Sequence, residues 1–315
     1  MENMSSHKIY EDIARRTGGD IYVGVVGPVR TGKSTLIKRF MEQLVIPNIA
    51  EPSWRDRAVD ELPQSAAGRT IMTTEPKFVP EESVTISIDD GAKCNIRLID
   101  CVGYIVPSAL GYIENDQPRM VMTPWFDREI PFNMAAEIGT DKVIKEHSTI
   151  GLVVTTDGSI SDIPREEYEE AEERVIAELD AIGKPFAVVL NCSEPYSART
   201  ADLVSRLEKK YSVPVTAVNC LELDTQGIAK ILQSILYRFP IKQISVEIPR
   251  WIVALEQEHW LKKSLYDAVK KAAFGVKRIC DVEKQLKTAT ECEYLNDFSL
   301  VSVDFGEGSA RARAA

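Results

Sequence analysis

Apolar and polar positions along this chain switch between two periods, and the switches outline its elements. Residues 21–26 (IYVGVV), 150–156 (IGLVVTT) and 186–190 (FAVVL) are continuous apolar runs bounded by turn residues. Such runs mark strands buried on both faces. Residues 213–218 (VPVTAV) extend the series. Helical spacing fills the intervals. One helix continues the run TLIKRFMEQLV and is stopped by Pro47; another, acidic, spans 164–182 with Pro164 at its start and Gly183 at its end. Two more cover 198–211 and 227–239, the second closed by Pro240, and a short one around YEDIARR is closed by Gly18-Gly19. This alternation predicts an α/β fold: a mainly parallel sheet with helices on both faces.

Three stretches depart from that rhythm. Residues 84–90 alternate like a half-exposed strand, and Asp90-Gly91 offers a tight turn into residues 95–100 (NIRLID), which predicts a hairpin and one antiparallel strand. Residues 48–83 lack periodicity and are expected to form a long loop. Residues 101–132 are irregular ahead of a helix near 133–147, and Trp125 with Phe126 makes them a candidate interaction loop.

Beyond Pro240 the pattern changes. Residues 241–249 read as a strand, 251–292 as a long charged helical stretch, and the last residues as the opening of another strand. The expected division is 1–240 and 241–315, the latter being the start of a second, α+β domain. Trp251, Trp260, Lys262 and Lys263 could form a membrane-facing surface; packing within the second domain is the expected role.

Composition narrows the classes. The chain has 315 residues, 44% of them apolar, and a formal net charge of -10. That acidity argues against a nucleic acid as partner, which needs a basic face. No run is long enough to span a membrane, and the polar start MENMSSHKIYEDIARR does not read as a signal peptide. The expected compartment is the cytoplasm. Six cysteines without a C-x-x-C pair read as reduced residues of an apolar core, and the three histidines are scattered.

Between the first strand and its helix lies GPVRTGKST, which satisfies G-x-x-x-x-G-K-[ST] with Gly27, Gly32, Lys33 and Ser34. Glycines let backbone N–H groups face phosphates, the lysine neutralises the outer ones, and the serine hydroxyl can ligate Mg²⁺. Arg30, Thr31 and Thr35 complete the nucleotide-binding loop. The bare pattern arises by chance on the order of once per hundred chains of this length; its placement between a buried strand and a helix makes it specific. Asp100-Cys-Val-Gly103 follows another apolar strand. An aspartate there can hold Mg²⁺ through water, and Gly103 can offer an N–H to a γ-phosphate. Between these motifs, Thr70, Thr73 and Thr74 in GRTIMTTEP are candidates for a threonine that closes on the metal.

Two features bear on the nucleotide and its turnover. Asn191-Cys192-Ser193-Glu194 stands where a GTPase carries N-K-x-D. The asparagine matches, but the lysine is lost and glutamate replaces aspartate, which weakens guanine selection and favours ATP. No glutamine follows Gly103; the next residues are Tyr104, Ile105 and Val106. Slow hydrolysis is expected unless another group acts, with Arg30, Arg69 or an arginine from a neighbouring subunit as candidates.

GPVRTGKST, LPQSAAGRTIMTTEPKFVP, RLIDCVGY and VLNCSEP together resemble the stage IV sporulation protein A family, ATPases of bacterial spore-coat assembly. The resemblance implies a P-loop NTPase of the translation-factor-like GTPase fold that uses ATP with Mg²⁺. It points to Lys33, Thr73, Thr74 and Asp100 as catalytic, to Gly103 and Asn191 beside the loop residues as nucleotide-binding, and to Ser34, Thr74 and Asp100 around the metal. It also implies self-assembly into a polymer on the forespore surface, in the mother cell. Coat proteins would attach to that polymer, and a small amphipathic membrane peptide would recruit it through a C-terminal region that this chain is expected to lack. A GTP-dependent regulatory switch is the alternative; a small-molecule kinase fits the motifs poorly, and the missing glutamine keeps a non-hydrolysing scaffold open.

Overall fold

Seven consecutive buried residues in Ile150–Thr156 and six in Phe186–Asn191 place both strands inside a six-stranded sheet of the computed structural model. The structure describes residues 5–63, 75–88, 92–114, 117–295 and 297–314. In chain order the strands are β1 (Asp20–Val26), β2 (Lys77–Ile88), β3 (Ala92–Asp100), β4 (Ile150–Thr156), β5 (Phe186–Asn191) and β6 (Val215–Val218). They lie in the order β6-β5-β4-β1-β3-β2. All neighbours are parallel except β2 and β3, the expected hairpin.

Helix α1 (Ser6–Thr17) precedes the sheet in sequence, and α2 (Lys33–Phe40), α3 (Pro52–Asp60), α4 (Phe132–Lys142), α5 (Glu169–Ala181), α6 (Ala198–Tyr211) and α7 (Thr225–Leu236) accompany it. On one face, Val26, Val153, Val188 and Leu190 pack with Phe132 and Ala136 of α4, Val175 and Leu179 of α5, and Leu207 of α6. α2 packs on β1 and β3, burying Leu36, Ile37 and Phe40. Each such side chain fully withdrawn from water is worth roughly 1.5–3 kcal/mol, so these layers fix where the strand ends lie.

Register aligns those ends. Val25 pairs with Asp100, Val26 with Val153, Thr156 with Asn191, and Asn191 with Val218. The carboxyl ends of β3, β1, β5 and β6 therefore share one edge, and β1 sits between β3 and β4. Ligands of open α/β sheets bind at such an edge.

Several expectations change. The loop expected over 48–83 contains α3, and β2 begins at Lys77 rather than 84. α3 buries little beyond Ala58, so its sequence shows no amphipathic stripe. The early half of β2 escapes the alternating sequence pattern because the pairing shifts between Val79 and Val84, across Pro80-Glu-Glu-Ser83. The irregular segment 101–132 holds two short hairpins, Ile113–Glu114 with Gln117–Pro118 and Met120–Thr123 with Phe126–Pro131. Of the six unbridged cysteines, Cys94, Cys101, Cys192 and Cys220 are buried, Cys292 is half-buried and Cys280 is exposed, outside the expected core role.

Contacts divide the chain into two compact units, Met1–Tyr10 with Thr17–Ile235, and Glu11–Arg16 with Leu236–Ala315. In the second, β7 (Gln243–Glu247), β8 (Phe298–Asp304) and β9 (Ser309–Ala314) form a sheet in the order β7-β9-β8, with β9 parallel to β7 and antiparallel to β8. The helical stretch expected over 251–292 is broken into α8 (Arg250–Val253), α9 (Trp260–Phe274) and α10 (Val282–Lys287), joined by turns. His259 caps α9 by accepting the Leu261 N–H at 3.3 Å, and Gly275 ends it. Leu265, Ala272, Val282 and Leu286 pack with Phe298, Ala310 and Ala312. The segment packs within this unit as expected, while Trp251 and Trp260 themselves stay 58% and 60% exposed, Trp260 lying edge-on to Tyr294 at 5.2 Å. Among the described residues no helix is long and apolar enough to cross a membrane.

One charged group lies wholly inside the first unit. Glu172 of α5 has no exposed surface and takes both guanidinium nitrogens of Arg165 at 2.7 Å. It also accepts from Tyr211 at 2.7 Å and from Thr155 of β4. The network pins α5 to the sheet. Removing one partner of a buried ion pair strands the other charge. Glu172→Ala is expected to lower the urea-unfolding free energy by about 3–5 kcal/mol, and Glu172→Gln, which keeps the side-chain volume and one acceptor oxygen, by less.

Candidate nucleotide site

The phosphate loop leaves β1 at Val26 and enters α2 at Lys33, so its backbone must reverse within a few residues. Arg30 does so at φ 62, a left-handed conformation that costs a non-glycine residue about 1–2 kcal/mol. Strain of this kind persists only where the surroundings hold it. Here Tyr104 donates its N–H to the Gly27 carbonyl at 3.2 Å and accepts from Val29 N–H at 2.8 Å. Thr31, fully buried, donates its hydroxyl to the Pro28 carbonyl at 3.0 Å. The loop is thereby strapped to the segment that follows Asp100.

Two glycines are required by close approach. A Cβ on Gly103, whose φ is +92, would lie 2.2 Å from the Gly27 oxygen and 2.6 Å from Lys33 Nζ. A Cβ on Gly32, at φ +91, would lie 2.3 Å from the Asn191 amide nitrogen. The Gly27 oxygen is backbone, and the Asn191 amide is held by Thr31 and Cys220, so neither gives way easily and larger residues would open the loop.

Lys33 is buried, and its ammonium donates to the Pro28 carbonyl at 2.6 Å and to the Gly27 carbonyl at 3.4 Å. Burial pushes its pKa down, opposed by nearby Cys101 and Asp100 and helped by Arg30. Ser34, in the first turn of α2, donates its hydroxyl to Asp100 Oδ2 at 2.6 Å. Burial pushes the Asp100 carboxyl above the usual carboxylate range, against the Ser34 hydrogen bond and the charges of Lys33 and Lys77. Two hard oxygen donors in contact, beside a buried ammonium and a helix N-terminus, suit a divalent cation held with phosphates.

At the other end, Asn191 is buried and both ends of its amide are used. Its nitrogen donates to the Thr31 carbonyl at 3.0 Å, and its oxygen accepts the Cys220 N–H at 3.0 Å. Cys192, in the place of the missing lysine, is fully buried, and its N–H goes to the Val218 carbonyl at 3.0 Å. The Glu194 side chain is exposed, while its carbonyl accepts from Thr200 and Ser197.

The structure thus brings Gly27, Arg30, Thr31, Gly32, Lys33, Ser34, Thr35, Asp100, Gly103 and Asn191 to one edge of the sheet. Arg69, Thr70, Thr73 and Thr74 lie outside the described residues. The sequence did not reveal the loop after β6, which Asn191 reaches through Cys220, or the Asp157–Ser159 turn. In that turn the Ser159 hydroxyl accepts the Ser193 N–H at 2.9 Å. The signal available was position: both segments follow buried strands that end at the same edge. Tyr104, where switch NTPases carry glutamine, is buried, bonded through its phenol to Glu178, with its ring 4.8 Å beneath the Arg174 guanidinium. It is a post rather than a water-directing arm.

With this geometry in view, the comparisons are specific. Residues 4–240 match the family model described as the stage IV sporulation protein A ATPase domain, and residues 241–315 match that family's middle domain. The chain belongs to the stage IV sporulation protein A family. It is 52% identical over 307 residues to Stage IV sporulation protein A of Bacillus anthracis and 50% identical over 307 residues to that of Bacillus subtilis (strain 168). Both alignments cover 98% of this chain and 62% of the relative, so the chain spans less than two thirds of these proteins. Among solved structures, the FeoB G-domain from Methanococcus jannaschii aligns with 69% of this chain and 98% of that chain at 12% identity, with a TM-score of 0.33. The P-loop fold assignment rests on the strand order and the loop themselves.

Burial of Asp100 has a cost that titration exposes. Folded Asp100 holds its proton more tightly than the unfolded residue does. Its contribution to the stability of the nucleotide-free protein is therefore full below the ordinary carboxylate range and is lost as pH rises through the raised value. Asp100→Asn is expected to raise the thermal midpoint of the nucleotide-free protein near neutral pH by a few degrees. The same variant is expected to lose the further stabilisation that Mg-ATP gives the parent; calorimetry with and without Mg-ATP reads both effects.

Proposed function

We propose that this chain hydrolyses ATP slowly, with Mg²⁺, and that hydrolysis drives its self-assembly. The observation that carries the reading is the Ser34–Asp100 oxygen pair, 2.6 Å apart beside buried Lys33 at the start of α2, in a chain matching an ATPase-domain family. Bound Mg-ATP would supply the phosphoanhydride and the cation that spreads its charge. The residues around it do the positioning. Lys33 and the first N–H groups of α2 neutralise the phosphates; Ser34 and Asp100 hold the metal, joined by Thr74; Gly103 offers an N–H to the γ-phosphate. Thr73 and Thr74 report its presence. Slow turnover follows from Tyr104, whose phenol is committed to Glu178. Arg30 stands in the loop itself as a candidate for stabilising transferred charge.

The relatives' name places them in sporulation. In the finer reading the assembled chain is a basement layer on which spore coat proteins gather, on the forespore surface facing the mother-cell cytoplasm. A small amphipathic membrane peptide would be its anchor through a C-terminal region beyond this chain. These steps rest on the family resemblance.

Phosphate release and pelletable polymer, measured together with Mg-ATP or Mg-GTP, test the proposal. Faster turnover of GTP would favour a regulatory switch and overturn the ATPase reading; turnover without nucleotide-dependent sedimentation would overturn the assembly reading. Lys33→Ala is expected to abolish nucleotide binding. The double change Thr73→Ala with Thr74→Ala should leave binding within about threefold and lower turnover at least about tenfold; lost binding would show that these threonines are not sensors.

A further inference from the structure

A purine whose phosphates lie in the loop at Gly27–Ser34 must emerge along the carboxyl edge of β5 and β6, past Asn191. What that edge offers a base can be counted in donors and acceptors. Cys192 gives its N–H to the Val218 carbonyl and Ser193 to the Ser159 hydroxyl. Cys220 gives its N–H to the Asn191 side chain. Leu221 gives its N–H to the Asn219 side-chain oxygen at 3.0 Å, and Glu222 to the Asn219 carbonyl at 3.0 Å. Asn191 commits one amide N–H to the Thr31 carbonyl and one lone pair to the Cys220 N–H. These backbone donors are all already bonded within the protein, and Leu221 itself is 73% exposed at the rim.

Acceptors at the same rim keep free capacity. The Glu194 carboxylate is exposed, and Asn219 Oδ1 keeps a second lone pair after taking the Leu221 N–H. Purines differ at the 6-position: guanine and hypoxanthine carry an oxygen that needs a donor, whereas adenine carries an amino group that needs an acceptor. A 6-oxo group brought to this rim would lose its water and meet lone pairs, and an unpaired buried acceptor costs more than a missing contact.

We propose that Asn219 makes this end of the site select adenine over 6-oxopurines. Its side-chain oxygen occupies the Leu221 N–H, the donor a 6-oxo group would use, and presents an acceptor to a 6-amino group instead. The inference deepens the reading of this domain as an ATP site and rests on it. Asn219 is a specificity-determining residue that acts in part through the Leu221 backbone.

The test compares ADP with IDP, whose bases differ at the 6-position and the adjacent ring proton, by equilibrium binding to the full chain. The unaltered protein is expected to bind ADP more tightly than IDP. Asn219→Ala frees the Leu221 N–H and removes the acceptor, so the affinity ratio should fall by at least about tenfold. Asn219→Asp keeps the acceptor and should retain the ratio. An unchanged ratio in Asn219→Ala, including an equal loss of both ligands, overturns the role of Asn219 while leaving the ATP reading intact. A fallen ratio in Asn219→Asp overturns it too, since the amide nitrogen would then be the reader. Equal binding of ADP and IDP by the unaltered protein overturns the ATP reading and this inference with it.

Discussion

The phosphate loop holds its shape because its carbonyls are claimed by neighbours that come from elsewhere in the chain. Tyr104 takes the Gly27 carbonyl, Asn191 takes that of Thr31, and Lys33 folds back onto Pro28. These bonds fasten the ends of β3 and β5 to the start of α2. They let Arg30 remain at a positive φ and Gly103 approach the Gly27 oxygen so closely that no Cβ fits. Site geometry here is a property of the sheet edge, and the loop sequence alone does not hold it.

That dependence explains what could be read from the chain. The buried strands were legible because five apolar residues in a row have few alternatives once bounded by turns. The loop was legible because glycines, lysine and serine fall at fixed spacing, and Asn191 because it ends a buried strand. α3 was hidden because helix formation there leaves only Ala58 buried, and the break after α8 because a histidine caps α9. Glu172 read as one carboxylate among many on an acidic helix. Its burial depends on Arg165 and Tyr211, contacts that no local pattern encodes. The Asn191–Cys220 bond likewise joins residues 29 positions apart.

The site is also where the fold is least at ease. Burial weakens the proton affinity of Lys33 and strengthens that of Asp100, so each resists the charge that phosphate and metal binding require. Ligand charge would relieve both, and this couples nucleotide binding to stability. The strained Arg30 backbone adds to the same store.

Both ends of the nucleotide are sensed through shared hardware. Asn191 holds the phosphate loop with one end of its amide and the loop after β6 with the other. A base that shifts the 219–222 turn would therefore pull on Cys220, on Asn191 and then on Thr31. The phosphate end has its own tie, since Tyr104 joins Gly27 and Val29 to Glu178 on α5. Replacing the N-K-x-D lysine by buried Cys192 removes a side chain that would have lain along the base and leaves recognition to the loop rims. Loss of the lysine and loss of rim donors act in the same direction, away from guanine. In this chain the two loops reach that outcome together because one buried amide keeps them in register.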